Sequence, residues 1–326
     1  MKTIDEIYSE LQNDEELNNA WREAKIQNEN IKKIIISIFL IIDVVIVWML
    51  LKSSINSGVT IIYMMFIVLV VNFVLGAIVF GITSMGKKQT EFNKQYKNKV
   101  INRIIKNFYD NSEYFPDKLM PEYIYLQPQY EYYNRYHSHD YFEALIDNCY
   151  SIQMAEVLAE EVKESIDDYI DRYIEGKEEK KKKEVIVKFN GLFAKIDMGK
   201  SINCELRIMQ DGKLALEENR LDMDSSEFER YFDVKASNQI IAMQILTADV
   251  MEELVKFEKE TKMKYDIYIK NNELYLRFHG GSLDVNIGKI KDEVLDKKVL
   301  GRYFYMINFT YNLSTKLIET INNIEI

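Results

Sequence analysis

Residues 34–51, IIISIFLIIDVVIVWMLL, form an apolar run of 18 residues broken only by Ser37 and Asp43. As a helix rising 1.5 Å per residue it reaches about 27 Å, close to the hydrocarbon thickness of a bilayer. A second run, residues 59–84, VTIIYMMFIVLVVNFVLGAIVFGITS, follows after the seven residues Lys52 to Gly58. Two such runs in tandem predict a transmembrane helical hairpin over residues 34–86. A secretory leader is not expected, because the first run starts only after 33 residues and no small-residue cleavage site follows it.

The flanks predict an orientation. Arg22, Lys25, Lys32 and Lys33 precede the first run, and Lys87, Lys88, Lys94, Lys97, Lys99, Arg103 and Lys106 follow the second. The connecting loop carries only Lys52. Basic residues are retained on the cytoplasmic side, so both termini are expected in the cytosol, with the chain multi-pass in a plasma membrane. Asp43 is the costly residue, about 2.5–3.5 kcal/mol at a helix centre. In an antiparallel hairpin Asn72 lies at a similar depth and is its natural hydrogen-bond partner. A proton or ion relay is the sharper alternative, but it needs several ionisable groups, and the runs hold one.

The 326 residues carry 42 Lys+Arg against 52 Asp+Glu, a formal charge of −10. That balance argues against a dedicated nucleic-acid binder. Two cysteines, Cys149 and Cys204, are too few for a disulfide scaffold or a cysteine-rich zinc module.

Residues 1–33 read as cytosolic amphipathic helices, two short ones over residues 3–31. Thr3 with Glu6 has capping-box spacing, and Asn13 with Glu16 repeats it. Ile7, Leu11, Leu17 and Trp21 form their apolar stripe. Residues 87–110 read as a basic juxtamembrane helix, with Phe92, Tyr96, Val100, Ile104 and Phe108 recurring every four residues. Both stripes are costly in water and must pack on something; they are expected to pair with each other as a rigid stalk under the membrane, the domain or a second copy being the alternatives.

Residues 111–326 predict a cytosolic α+β domain with a largely antiparallel sheet and packed helices, since strands and helices do not alternate regularly. All three prolines, Pro116, Pro121 and Pro128, fall in the turn-rich stretch 110–129. Nine of the 22 tyrosines fall between Tyr109 and Tyr141. Such residues cover a core while their hydroxyls reach polar partners, or form a recognition surface. Residues 140–147 and 149–162 read as strands around an Asp147-Asn148 turn, although Met154, Leu158 and Val162 fit helix spacing as well. Residues 177–184 read as a charged loop and 185–196 as a strand. Residues 264–270 and 273–279 predict a β-hairpin around Asn271-Asn272. Helices are expected at 226–231, at 248–260 behind a Thr247 cap, and at 303–321.

These blocks carry a resemblance. Phe189-Asn-Gly-Leu-Phe193 with Asp197 and Lys200 resembles the F-x-G-L-F…D-x-x-K block of the bacterial two-span membrane proteins of the domain-of-unknown-function 3137 (DUF 3137) family. Residues 224–232, DSSEFERYF, residues 242–254, the 274–276 arm and the Asp140-Tyr141 step are similar to it too. The resemblance spans roughly residues 90–310. It implies architecture and location, and no established activity.

No phosphate-binding loop, GxGxxG after a strand, HExxH or paired CxxC occurs. His137, His139 and Asp140 make the best metal-like cluster. On a regular strand the two histidines share one face and Asp140 takes the other, which leaves too few ligands. Cys149, read as lying in a strand, is expected to be a small core residue rather than a nucleophile. No catalytic residue and no cofactor is assigned. The expected function is a membrane-anchored cytosolic binding or scaffold module, leaning away from an enzyme. The alternative is a membrane-tethered hydrolase with a site the motifs do not reveal. The lipid bilayer and an unidentified protein are the expected partners, and a second copy of the chain remains open. A deep cleft with convergent polar groups favours the enzyme, and a shallow apolar face favours the scaffold.

Overall fold

The structure, a computed structural model, describes residues 1–52, 76, 87–163, 184–210, 212, 220–280 and 294–324. It divides into two units. One comprises Met1–Ile7, Val100–Asp284 and Lys297–Ile326, and the other comprises Tyr8–Lys99 and Val285–Asp296. The second apolar run apart from Gly76, and the charged stretch 177–183, lie outside the described residues.

The described part of the Tyr8–Lys99 unit is helical. Helix α1 spans Ile4–Gln12 and opens with the expected capping box: Thr3 N donates to Glu6 Oε2 at 2.7 Å, and Glu6 N to Thr3 Oγ1 at 3.3 Å. The next cap falls on Asp14 and not Asn13, with Leu17 N donating to Asp14 Oδ1 at 2.8 Å. A carboxylate is the better acceptor at a helix N-terminus. Helix α2 then runs unbroken from Glu15 to Lys52, so the second amphipathic helix and the first apolar run are one element. No glycine or proline interrupts it. Among the described residues no helix is long and apolar enough to cross a membrane. Side chains of α2 at 41 and beyond Val44 are outside the described set. Helix α3, Lys87–Tyr96, packs against α2. Phe92, Tyr96, Leu17 and Ala24 are all buried. Lys99 ties the two ends, at 2.9 Å from Asp14 and 2.6 Å from Glu16.

The larger unit is a seven-stranded antiparallel sheet, which bears out the α+β expectation. Helix α4 is Asn102–Phe108. Strands β1 (Asp110–Phe115), β2 (Arg135–Ile146) and β3 (Tyr150–Lys163) form a meander. Helix α5, Glu122–Leu126, lies between the first two. Strand β4 covers Glu184–Gln210 in extended conformation. Its first half pairs with β3 and its second with β6, Phe232–Ala236, which also carries β5, Arg220–Leu221. Both halves pair with β7, Tyr265–His279. Strand β7 folds back on itself as expected. His279 N donates to Lys264 O at 2.8 Å, Tyr268 stacks on Tyr275, and Arg277 bonds Asp266. These pairs are symmetric about Asn271-Asn272, where Asn271 has φ +56°. The β7 hairpin therefore offers one arm to each half of β4.

That insertion requires Gly191. Its backbone passes so close to β7 that a Cβ there would lie 1.9 Å from the Phe278 carbonyl oxygen.

Alternation sorts the side chains to two faces. Tyr265 and Phe278 meet α7, Ala248–Thr261, and α8, Lys297–Asn323. There Phe257 stacks on Phe309 at 4.0 Å, and Tyr265 Oη donates to Leu254 O at 2.7 Å. Thr247 caps α7 as expected, and helix α6 is Gln239–Ile245. The helix expected at 226–231 shrinks to one 3-10 turn, Phe228–Arg230. On the opposite face Phe189, Phe193, Tyr268 and Tyr275 meet a strap, residues 116–134, through Met120, Ile124 and Tyr125. The tyrosine-rich stretch thus covers a core. Tyr125 lies edge-on to Phe193 at 5.0 Å and stacks on Phe189 at 5.8 Å.

Replacing Gly191 by alanine is expected to destabilise the domain by about 1–3 kcal/mol, because a backbone atom must move to admit the methyl group. Thermal unfolding measures it. An unchanged midpoint would mean that β4 and β7 are not in this register.

Candidate functional site

Sequence reasoning separated His139 from Asp140, and the structure joins them. The β2–β3 register shifts between His139 and Phe142. Asp140 is the extra residue of that bulge, with φ +56°, and its amide donates to Pro116 O at 2.9 Å. A bulge cancels strand alternation, so the two side chains fall on the same side. His139 Nδ1 lies 2.7 Å from Asp140 Oδ2. Glu156 stands directly opposite on β3 and brings Oε1 within 3.7 Å of His139 Nε2. Tyr114 on β1 donates its hydroxyl to Asp140 Oδ1 at 2.5 Å. Asp140 and Glu156 are buried, whereas the His139 side chain is 40% exposed. A space of about 10 Å³ beside Asp140, walled by Phe142, Met154, Leu192, Tyr303 and Ile307, has room for the centre of one water.

The other residues singled out in the sequence do not join this cluster. His137 is exposed and pairs in register with Leu158. Asp43 is an exposed position of α2, and Asn72 lies outside the described residues. Cys149 sits exposed in the turn before β3, not in the core of a strand. The Asp147-Asn148 turn, with both φ near +50°, ends the strand pairing one residue earlier than alternation suggests. Cys204 is buried, and burial pushes its thiol pKa up.

Sequence reasoning missed a second polar cluster, beneath the strap. Arg277 is 95% buried, since only 5% of its side chain is exposed. It reaches Glu131 at 2.6 Å and Asp266 at 2.8 Å, and its guanidinium lies 3.6 Å from the Tyr130 ring centre. His279 Nε2 meets Asp266 at 2.6 Å, and Tyr125 donates to Glu131 at 2.5 Å. Burial works against the Arg277 charge, but Tyr130, Asp266 and Glu131 more than offset it and hold its pKa above the ordinary arginine value. The partners lie 11 and 146 residues away in the chain, so no local motif announces them.

Residues of the resembling blocks have structural posts. Asp197 Oδ1 accepts from Gly199 N at 2.9 Å and from Asn272 Nδ2 at 2.8 Å, which locks the bend of β4 over the β7 turn. Lys200 Nζ donates to Ile324 O at 2.6 Å, a cation at the C-terminal end of α8. Ser225 Oγ accepts from Phe228 N at 3.2 Å to start the 3-10 turn. A groove of about 810 Å³ lies among Ile4, Lys262, Met263, Lys298, Arg302 and Tyr305. It is wide-mouthed, and its rim carries the Lys297–Asp5 ion pair at 2.6 Å.

Residues 187–320 match a family described as protein of unknown function (DUF3137). The match includes the Phe189–Phe193, Asp224–Phe232 and Ala242–Leu254 blocks and leaves outside it the Asp140-Tyr141 step and the two apolar runs. No curated protein matches the chain. Among solved structures, the mycobacterial trehalose monomycolate transport factor A is similar over 67% of this chain and 94% of its own length, at 8% identity and a TM-score of 0.33.

Truncating Arg277 to alanine strands Asp266 and Glu131 and is expected to cost about 3–5 kcal/mol. Arg277→Lys keeps the charge without the fork that reaches both acids, so it is expected to cost less but still destabilise measurably. Urea unfolding of both variants tests the order. Equal, near-zero losses would show that the network does not hold the strap.

Proposed function

We propose that this protein is a two-span, membrane-anchored binding module of the DUF 3137 type, whose α+β domain gathers a partner at the cytosolic face of a bacterial membrane. The observation that carries the reading is the apolar side of α2. Ile34, Ile36, Leu40 and Val44 are 58–66% exposed within the chain itself. Each forfeits about 1.5–3 kcal/mol if left in water rather than buried in an apolar medium. Hydrocarbon is the medium that 18 residues of this composition fit. A second support is Gly76, where an added Cβ would come 3.9 Å from the Phe39 ring. That one approach, between Gly76 of the second run and Phe39 of the first, is what paired spans require. Asp43 and Asn72 then serve as polar glue between spans or between copies. The basic residues after the second run hold that end in the cytosol and favour anionic headgroups.

A binding role fits the domain better than a reaction. Its buried Arg277 closes on Glu131 and Asp266, and its groove is wide-mouthed rather than a deep cleft.

A cysteine placed at Asn56 is expected to react with an impermeant maleimide on intact cells, while the natural, exposed Cys149 reacts only after lysis. Labelling of Cys149 but not of residue 56 would invert the topology, and full release of the chain by alkaline carbonate would remove the anchor altogether.

A further inference from the structure

We propose that His139, Asp140 and Glu156 bind one divalent first-row transition ion, zinc or manganese. A histidine nitrogen and one carboxylate oxygen from each acid lie within 4.8 Å of one another. Ligands bonded to one such ion at about 2.0–2.2 Å stand about 3–4 Å apart, so closure takes a small side-chain adjustment. His139, two-fifths exposed, has the room to make it.

Four further features point to an ion. The bulge is strained: Asp140 leaves the β2–β3 pairing and takes a left-handed conformation that costs a non-glycine residue about 1–3 kcal/mol. Its result is to set a second ligand beside His139. The third comes from β3 at the position directly opposite, so two paired strands fix all three donors. Tyr114 occupies the remaining Asp140 oxygen and aims the other at the histidine, which is how an outer-shell partner orients a metal-binding carboxylate. The exposed edge of His139 opens the site to solvent. A set of one imidazole and two carboxylates, with no thiolate, selects borderline-to-hard divalent ions. Three protein donors leave coordination positions for water or for a donor atom of the bound partner.

The test uses the full chain in detergent, stripped with chelator, loaded with Zn²⁺ alone and dialysed. One zinc per chain is expected to stay. His139→Ala and Glu156→Gln are each expected to weaken binding at least tenfold, and Tyr114→Phe by about 10–100-fold. His137→Ala and His279→Ala are expected to leave it unchanged. Circular dichroism checks that each variant folds. Co²⁺ loaded into the unsubstituted chain gives a reading that needs no variant: visible absorption well above that of the aqueous ion is expected. Zinc that dialyses away, zinc held equally well by His139→Ala and Glu156→Gln, or a cobalt spectrum identical to that of the aqueous ion each overturns the site.

Discussion

Strand β7 can lie between the two halves of β4 only because Gly191 has no side chain where the Phe278 carbonyl passes. Everything else in the larger unit takes its place from that contact. The β7 hairpin gives one arm to each half of β4, and β4 in turn carries β3 on one side and β6 on the other. Alternation along β7 then decides both covers. Tyr265 and Phe278 face α7 and α8, while Asp266, Tyr268, Tyr275 and Arg277 face the strap. Because the side-chain period is two residues, a slip of one would send the charged row to the helices and the aromatic row to the strap. Asp197 holds the register from above, bonding both the β4 bend and Asn272.

What the sequence made legible were features with a short physical range. The Thr3 and Thr247 caps and the Asn271-Asn272 turn act over two to four residues, and each stands where its spacing puts it. The 150–162 segment was ambiguous because Met154, Leu158 and Val162 satisfy two periods. Its neighbours β2 and β4 resolve it by supplying ladders on both edges. The candidate site was half legible. His139 and Asp140 are adjacent in sequence, but a strand's alternation separates them unless a bulge intervenes, and nothing local marks Asp140 as one. Glu156 and Tyr114 reach the site through strand register, and the Arg277 partners through the path of the strap. Register and path are tertiary quantities.

The two polar clusters differ in what their strain and burial achieve. A buried ion pair roughly breaks even against an apolar replacement, so Arg277 is not explained as a source of stability. It is better explained by direction. The strap otherwise meets the sheet through aromatic rings, whose attraction depends weakly on register. Glu131 on a fixed guanidinium fork admits one placement of the strap, and Arg207 adds a second anchor by donating to Pro128 O at 3.1 Å.

The bulge cluster differs: the Asp140 amide bonds Pro116 O and Tyr141 joins the core under the strap, but neither contact uses the Asp140 or His139 side chain. Tyr114 and Glu156 already sit on strands whose ladders hold them. Removing the bulge would restore regular pairing and relieve the Asp140 backbone, at the cost of moving the carboxylate to the other face. The strain therefore secures two things that a regular strand cannot: Tyr141 on the strap face with Tyr136, and a carboxylate and an imidazole from successive residues aimed at the same point. The placing of Tyr141 asks only for a shift in alternation, whereas a buried carboxylate set beside His139 is explained by what the pair can hold there. That is the physical ground for separating this cluster, as a site, from the network under the strap, which is architecture.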